Sequence, residues 1–188
     1  VQKIKSIFPD EQAKSIQMRI NAGQLPADHW VNDPVVGGGR IIGEACHFVD
    51  LAMFLAGAPI TSVSANAMAA SGLDNTVIIN LAFKNGSVAS ISYFSNGSKK
   101  LPKEQIEVFC GGTVAQIDDF NTLTIYKEKV KSIKFKGQDK GHKEEIKQFF
   151  KSITEGLPCP IPFNESYLST LATFKVLQSI RENRKIIL

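Results

Sequence analysis

Three side chains that can exchange protons or accept hydrogen bonds lie close together in the sequence: Glu44, His47 and Asp50. Residues three apart are neighbours on a helix surface, so all three can line one side of a helix. Histidine is the side chain whose proton affinity suits transfer near neutral pH, and a carboxylate one turn away can fix its tautomer. The pattern therefore favours proton transfer to or from a small substrate.

The same spacing is also compatible with a solvated cluster on a helix surface. Glu, His and Asp occur at such intervals by chance, and periodicity alone favours the surface cluster over a catalytic one. The sequence contains no Gly-x-Ser-x-Gly, no His-Glu-x-x-His, no phosphate-binding loop and no Gly-x-Gly-x-x-Gly after a strand. On the residues alone, both interpretations stay open.

The elements around this group predict a helix that follows a glycine-rich turn. Residues 41–56 carry apolar side chains at helical spacing, and Gly57 and Pro59 end the helix. Three consecutive glycines at residues 37–39 precede it and permit a close approach of the backbone to another group. A strand is predicted further upstream, at residues 15–20.

A long run of β-branched and aromatic segments follows, with Asn85 and Gly86 as a hairpin turn. The predicted strands are residues 60–67, 76–83, 87–94, 104–110, 113–117, 123–126 and 130–135. Two helices end the chain, one at residues 142–154 and one from an N-cap at Asn164 to about residue 182. This order predicts an α+β fold, with helices packed on one face of a largely antiparallel open sheet.

The other face of the sheet is expected to mix polar and apolar side chains, because Ser90 and Ser92 share it with Val88 and Phe94. A half-apolar open face predicts an oligomer interface. The net charge is +4, and the excess lysines concentrate in residues 127–143. Aromatic residues are few there and no nucleic-acid motif is present, so these lysines are expected to guard a sheet edge.

The length of 188 residues fits one domain or at most two small ones, and 43% hydrophobic and 21% charged residues are typical of a soluble globular protein. Cys46, Cys110 and Cys159 are far apart and have no metal-ligand spacing, which favours reduced thiols and a cytoplasmic protein. No apolar stretch is long enough for a membrane span, and the first residues lack signal-peptide features. No membrane, nucleic-acid or metal partner is expected.

Residues 37–52, which run from the three glycines through His47 and Asp50, resemble a segment of the Gfo/Idh/MocA oxidoreductases, the glucose–fructose oxidoreductase and inositol dehydrogenase family. The segment is the glycine-triplet and His-x-x-Asp helix of that family's C-terminal domain. Residues 104–113 resemble its Glu-x-Ile-Glu-Val strand pair, and residues 141–162 resemble its Gly-His ending.

The resemblance implies a division of the chain. Residues 1–14 would be the tail of a preceding domain or a linker helix, and residues 15–188 the substrate and oligomerisation domain. In that family an N-terminal Rossmann domain binds NAD or NADP and supplies a catalytic lysine, and neither is found in this sequence. The resemblance therefore implies that the missing Rossmann domain is the main partner, that this chain alone binds no cofactor and is inactive, and that it forms a homo-oligomer through the open sheet face.

The resemblance also implies roles for the candidate residues. His47 would relay a proton as a hydroxyl of a sugar, sugar nucleotide or cyclitol loses hydride to the nicotinamide, and Asp50 would orient the helix. Many members have Asp four residues before the histidine, where this sequence has Gly43. Glu44 is adjacent, but its direction on a helix differs by about 100°. Whether Glu44 replaces that Asp stays open.

Asn21, Trp30 and Arg19 are candidates for substrate contacts. Asn21 follows the first strand, where polar side chains can face a sugar. Trp30 can stack on a sugar ring, and a partly buried core position is the equal alternative. Two other functions are compatible with the residues: a non-catalytic assembly or sensing module with the same fold, and a basic nucleic-acid-binding domain as the least favoured.

Overall fold

The computed structural model describes residues 1–26, 28–33, 35–68, 75–138 and 140–188. Its helical elements are α1 (Gln2–Ile7), a 3₁₀ turn (Trp30–Asn32), a π-helical turn (Ile41–Ala45), α2 (Cys46–Ala56), α3 (His142–Thr154) and α4 (Phe163–Glu182). The strands are β1 (Ser15–Asn21), β2 (Ile60–Ala67), β3 (Val77–Phe83), β4 (Val88–Phe94), β5 (Glu104–Cys110), β6 (Thr113–Asp118), β7 (Thr122–Tyr126), β8 (Val130–Lys134) and β9 (Ile186–Ile187). None of these helices is long and apolar enough to cross a membrane.

All nine strands form one sheet, in the order β8-β7-β6-β5-β1-β4-β3-β2-β9. Every neighbouring pair is antiparallel except β1 and β4, which run parallel. The predicted Asn85-Gly86 hairpin joins β3 to β4, and Gly86 has a φ of 83°, which glycine adopts without strain. The prediction of an α+β fold with a largely antiparallel open sheet is confirmed.

One face of the sheet is covered by α2 and α4, which also pack on each other. The core between these layers is aliphatic and closed to solvent. Met18, Ile91 and Val108 from the sheet and Val49 and Val176 from the helices are 0% exposed. Burial of such side chains is worth about 1.5–3 kcal/mol each, so this layer fixes how α2 lies on the sheet.

The end of α2 is capped by side chains from distant segments. Gly57 adopts a φ of 72° after the last helical turn, as its position predicts. The carbonyl oxygen of Ala56 accepts hydrogen bonds from Lys14 Nζ (3.2 Å) and Asn85 Nδ2 (2.9 Å). Burial lowers the pKa of Lys14, whose ammonium also donates to two carbonyls in the loop before β1.

The helix predicted at residues 41–56 consists of two parts. Its first turn, Ile41–Ala45, is π-helical, and regular α-helix begins only at Cys46. A π-helical turn bonds residue i to i+5 and is wider than an α-turn. The directions that α-helical spacing predicts for Glu44 relative to His47 therefore do not apply.

The last two helices differ from the prediction at one end only. α3 spans the predicted residues, but α4 begins at Phe163, and Pro162 occupies the N-cap position with extended backbone angles. The predicted N-cap at Asn164 is wrong, because the N-cap lies two residues earlier, at Pro162. Asn164 instead lies within the first turn.

α3 packs extensively against no other described helix or strand. Ser152 is its one buried residue. Its apolar side chains, called here the α3 face, are 51–62% exposed: Ile146, Phe149, Phe150 and Ile153. Since an amphipathic helix normally buries this side, the α3 face is a surface that the described chain leaves uncovered.

The face of the sheet opposite α2 and α4 is open and mixed in character, as predicted. Val88 and Phe109 are 50% and 42% exposed there, beside polar neighbours such as Ser90. The edge strand β8 carries Lys131 and Lys134, both exposed. The prediction that lysines lie on a sheet edge is confirmed for these two residues, and such charges discourage pairing with another chain.

Candidate functional site

His47 is exposed on the first turn of α2. The next two residues, Phe48 and Val49, are buried in the core, so His47 lies on the side of the helix away from the sheet. Asp50 follows one turn later. Burial raises the pKa of Asp50, while the hydroxyl of Ser169 on α4 and the charge of His47 act in the opposite direction. The structure therefore places His47 and Asp50 one turn apart on α2.

Glu44 is engaged elsewhere. Its Oε2 accepts hydrogen bonds from Arg40 Nε (3.0 Å) and Nη2 (2.8 Å) and from the hydroxyl of Tyr93. Its Oε1 accepts no hydrogen bond from the described residues, and the Glu44 side chain is 32% exposed. The carboxylate is thus anchored by one oxygen and open at the other.

Arg40 joins the end of β1 to the π-helical turn. Its guanidinium donates to the carbonyl oxygens of Gly23 (2.6 Å) and Ala22 (3.3 Å) as well as to Glu44. The guanidinium carbon lies 5.5 Å from the centroid of the Tyr93 ring, a distance at which cation and ring attract. The Arg40 side chain is only 3% exposed, so this connection is internal.

The charges in this group are fixed by its hydrogen bonds. Burial by itself raises the pKa of Glu44, but the Tyr93 hydroxyl and the Arg40 guanidinium stabilise the carboxylate and bring its pKa below the usual range. Burial and the neighbouring Glu44 charge raise the pKa of Tyr93. Glu44 is therefore ionised at neutral pH, and Tyr93 is a neutral donor.

Gly43, the position at which the resemblance noted in the sequence implies Asp in many relatives, lies inside the π-helical turn. A Cβ atom at Gly43 would lie 3.1 Å from a methyl carbon of Val31, closer than an ordinary contact. A side chain there would therefore require Val31 to shift. The hydrogen bonds of Glu44 go to Arg40 and Tyr93, and whether it replaces that Asp stays a prediction.

The candidate substrate residues Arg19 and Asn21 hold the loop that joins β4 to β5. The buried Asn21 amide donates from Nδ2 to the carbonyl oxygens of Ser98 (2.7 Å) and Leu101 (3.0 Å). Arg19 donates from Nη1 to the carbonyl oxygen of Pro102 (3.1 Å). Both side chains therefore shape this loop, and a direct contact with substrate stays a prediction.

The same loop places a second charged group near Glu44. The charge of Lys103 lowers the pKa of both Glu44 and Glu104. Glu104 is 2% exposed, its Oε1 accepts from Lys140 Nζ (2.8 Å), and its Oε2 has no partner among the described residues. Burial raises the pKa of Glu104, opposed by Lys140 and reinforced by Asp119.

Trp30 lies at the start of the 3₁₀ turn and is 62% exposed, so the alternative of a core position is wrong. Its ring is 5.9 Å from that of His29. The turn is tied to the glycine-rich segment, because Gly39 N donates to the carbonyl oxygen of Val31 (3.0 Å). Trp30 can therefore contact a second molecule, and stacking on a sugar stays a prediction.

Two hollows on the surface lie away from His47. One, of about 480 Å³, is at the end of the sheet beside Gly111 and Gly112, and the other, of about 450 Å³, lies on the open face between Gln17 and Ser64. Neither includes His47 or any residue of the Glu44 group.

Sequence reasoning missed three residues of this site: Arg40, Tyr93 and Lys103. Tyr93 had a readable signal, because it shares the inward side of β4 with Ala89 and Ile91, and a buried tyrosine hydroxyl needs a partner. Arg40 had a weaker one, since it stands between three glycines and an apolar run. Lys103 had none.

The chain combines a largely antiparallel open sheet with a His-x-x-Asp helix on the covered face of that sheet. Residues 12–114 match the profile of the GFO/IDH/MocA C-terminal domain. The match spans more than half of the chain, so the chain belongs to this family, and the resemblance predicted from the sequence is confirmed. No curated protein sequence matches the chain significantly.

Solved structures share the fold. UDP-N-acetylglucosamine 3-dehydrogenase from Acidithiobacillus ferrooxidans is 20% identical, with a TM-score of 0.79 over 96% of this chain and 57% of its own. An NAD-binding oxidoreductase from Klebsiella pneumoniae is 18% identical, with a TM-score of 0.80 over 99% and 62%. Levoglucosan dehydrogenase, in complex with NADH and levoglucosan, is 16% identical, with a TM-score of 0.78 over 93% and 58%. This chain therefore spans less than two thirds of each of these proteins.

Proposed function

We propose that this chain is the substrate-binding half of an NAD(P)-dependent oxidoreductase that acts on a hydroxyl of a sugar, sugar nucleotide or cyclitol. Family membership supports the oxidoreductase class, and dehydrogenases of a sugar nucleotide and of levoglucosan share the fold. The observation that carries the proposal is the exposed imidazole of His47, which lies one helical turn from Asp50 on α2, a helix that covers the sheet.

The proposed role of His47 is proton transfer. In the oxidation direction the unprotonated imidazole accepts the hydroxyl proton while the carbon gives up its hydride and a C=O bond forms. Acceptance of that hydride by a nicotinamide is the chemistry supplied from outside the described residues. Asp50 orients the ring and stabilises the imidazolium, which returns the proton in the reduction direction.

We assign nucleotide binding to a second lobe. β1 ends at Asn21, well before the three glycines at residues 37–39, so these residues do not form the strand–turn–helix that cradles a dinucleotide. The α3 face offers that lobe an apolar surface on which to pack. The 188-residue chain alone is expected to be inactive and to bind NAD(P) weakly, and tight binding in calorimetry would contradict this assignment.

We propose further that the open sheet face joins two or more copies of the chain. Val88 and Phe109 give this face exposed apolar area between polar rows. Val88→Lys should then lower the mass measured by analytical ultracentrifugation, while Lys131→Gln on the edge strand should leave it unchanged. If Val88→Lys leaves the mass unchanged, the open face is not the interface between copies.

The enzymatic proposal is tested with this chain joined to its nucleotide-binding lobe. His47→Ala should reduce turnover of the preferred polyol by roughly 10²–10⁴-fold, the usual contribution of a general base. His142→Ala is the matched control, because His142 is an exposed histidine at the start of α3. If His47→Ala is fully active, His47 takes no part in the reaction. If the unaltered protein turns over no polyol, the proposed reaction class is wrong.

A second candidate is a non-catalytic assembly or sensing module with the same fold. Gly43 favours it, since the family's carboxylate at that position is absent and neither of the two hollows includes His47. Such a module would bind a polyol without oxidising it, and His47→Ala would then change binding alone.

A further inference from the structure

We propose that Glu44 is a specificity-determining residue, whose free carboxylate oxygen accepts a hydrogen bond from a substrate hydroxyl other than the one that reacts at His47. Arg40 and Tyr93 are the positioning residues that hold it there. The inference rests on the proposed function, because it requires a polyol over the start of α2. It gives Glu44 a binding role in place of the acid–base role considered from the sequence.

The first observation is the asymmetry of the Glu44 carboxylate. Oε2 takes all three hydrogen bonds that the protein gives this group, two from Arg40 and one from Tyr93. Oε1 receives none from the described residues, and the side chain is 32% exposed. A carboxylate can accept about four hydrogen bonds, so the protein leaves acceptor capacity on the exposed side.

The second observation is that this oxygen is held rigidly. The Arg40 side chain is 3% exposed and is tied to the carbonyl oxygen of Gly23 at 2.6 Å. Tyr93 is 0% exposed and belongs to β4, in the middle of the sheet. A surface glutamate would rotate freely, whereas Glu44 presents its open oxygen in one place. Preorganised acceptors of this kind discriminate between ligands, because little entropy is lost on binding.

The third observation concerns charge. Partial burial raises the pKa of Glu44, but the donors on Oε2 outweigh that effect and lower it overall. Glu44 therefore keeps its negative charge at neutral pH and does not exchange a proton with substrate. It can accept a hydrogen bond from a neutral hydroxyl, and such a bond to a charged group corresponds to about 10- to 100-fold in affinity.

The experiment compares hydroxylated and deoxygenated substrates in the protein joined to its nucleotide-binding lobe. UDP-N-acetylglucosamine, levoglucosan and glucose are assayed, together with the singly deoxygenated analogues of the one that is turned over best. The unaltered protein should disfavour one deoxy analogue by about 10- to 100-fold in kcat/KM. Glu44→Gln should lose most of that preference through KM, and Tyr93→Phe should lose part of it. The pH profile of kcat should not move.

Two results would overturn the inference. Glu44→Gln could retain the full preference against every deoxy analogue, which would leave Glu44 a structural role only. Alternatively, it could remove one limb of the pH profile of kcat with KM unchanged, which would assign proton transfer to Glu44. Lys131→Gln, on the exposed edge strand, is the control and should change neither quantity.

If circular dichroism shows that Glu44→Gln is misfolded, Tyr93→Phe becomes the deciding variant. It must then reduce the preference for the hydroxylated substrate over its deoxy analogue. If the unaltered protein turns over no polyol, the proposed function fails by itself. The inference is then decided by the ¹³C carboxyl resonance of Glu44, identified by its absence in Glu44→Gln. A shift of that resonance with one of the three polyols supports the inference, and no shift with any of them overturns it.

Discussion

Replacement of Arg40 by methionine removes a buried cation that connects the end of β1 to the turn before α2. The Arg40 side chain is 3% exposed and donates to Gly23, Ala22 and Glu44. Methionine is flexible and unbranched, so it can fill most of the vacated space. The change therefore isolates the loss of the hydrogen bonds and of the charge.

The magnitude follows from the contacts. An acceptor that is left buried without its partner costs about 1–3 kcal/mol, and the Gly23 carbonyl, at 2.6 Å from Nη1, is the clearest case. Loss of one member of a buried ion pair costs about 3–5 kcal/mol, a figure that must be reduced here because Glu44 is one third exposed. We expect Arg40→Met to lower the free energy of unfolding by about 3 kcal/mol. Arg40→Lys, which keeps the charge without the planar fork, should lose about half of that.

Urea denaturation of the 188-residue chain, followed by circular dichroism, measures this loss. Arg181→Met in α4 is the matched control, because Arg181 is exposed. A double-mutant cycle with Glu44→Gln should give a coupling of about 1–2 kcal/mol, as expected for groups in contact. A loss below about 0.5 kcal/mol for Arg40→Met, the range of ordinary surface changes, would refute the reasoning.

Three further measurements test other buried or exposed groups. Lys14→Met removes one donor from three carbonyls, of which Ala56 keeps its bond from Asn85 Nδ2, and should cost about 1–3 kcal/mol in the same urea titration; an unchanged midpoint would contradict the capping role. Burial raises the pKa of Glu104, so the folded chain keeps this proton to a higher pH than the unfolded chain, and stability falls as pH rises from the ordinary glutamate range through the raised value. The free energy of unfolding of Glu104→Gln should therefore rise relative to that of the unaltered chain across that interval. Lys140→Met should be less stable at neutral pH unless Glu104→Gln is also present. If the free energies of unfolding of these variants and of the unaltered chain change with pH in parallel, both expectations are contradicted. Phe150→Glu, on the α3 face, should reduce the binding of a hydrophobic dye and change the unfolding free energy by less than about 0.5 kcal/mol, and a larger loss would mean that α3 is packed after all.

The strands after α2 were predictable because their local signals are strong. Residues 60–135 alternate apolar and polar side chains between turns rich in glycine, and each strand bound agrees with the structure to within one residue. β9 escaped prediction, because it consists of Ile186–Ile187 alone and exists only through its pairing with β2. The position of β1 in the strand order was not predictable either, because the alternation of residues along a strand does not indicate which strands pair with it.

The candidate site was predictable in part. His47 and Asp50 lie on regular α-helix, so their spacing predicted their proximity. Glu44 lies in the π-helical turn. Because an apolar run is compatible with both an α-helix and a π-helical turn, the hydrogen-bond partners of Glu44 could not be predicted from the sequence. Arg40 was missed because arginine is rarely buried unless paired, and its carbonyl partners come from the distant end of β1.

The central position of β1 has a consequence for synthesis of the chain. β2, β3 and β4 form one meander from local contacts and β5 to β8 form another, and β1 is the strand that joins the two. It is made before the other eight described strands, yet its antiparallel neighbour β5 begins at Glu104. At roughly 5–20 residues per second, about 90 further residues take on the order of ten seconds to make. A nascent chain halted before β5 should therefore expose one unpaired edge of β1 and be the form that chaperones bind.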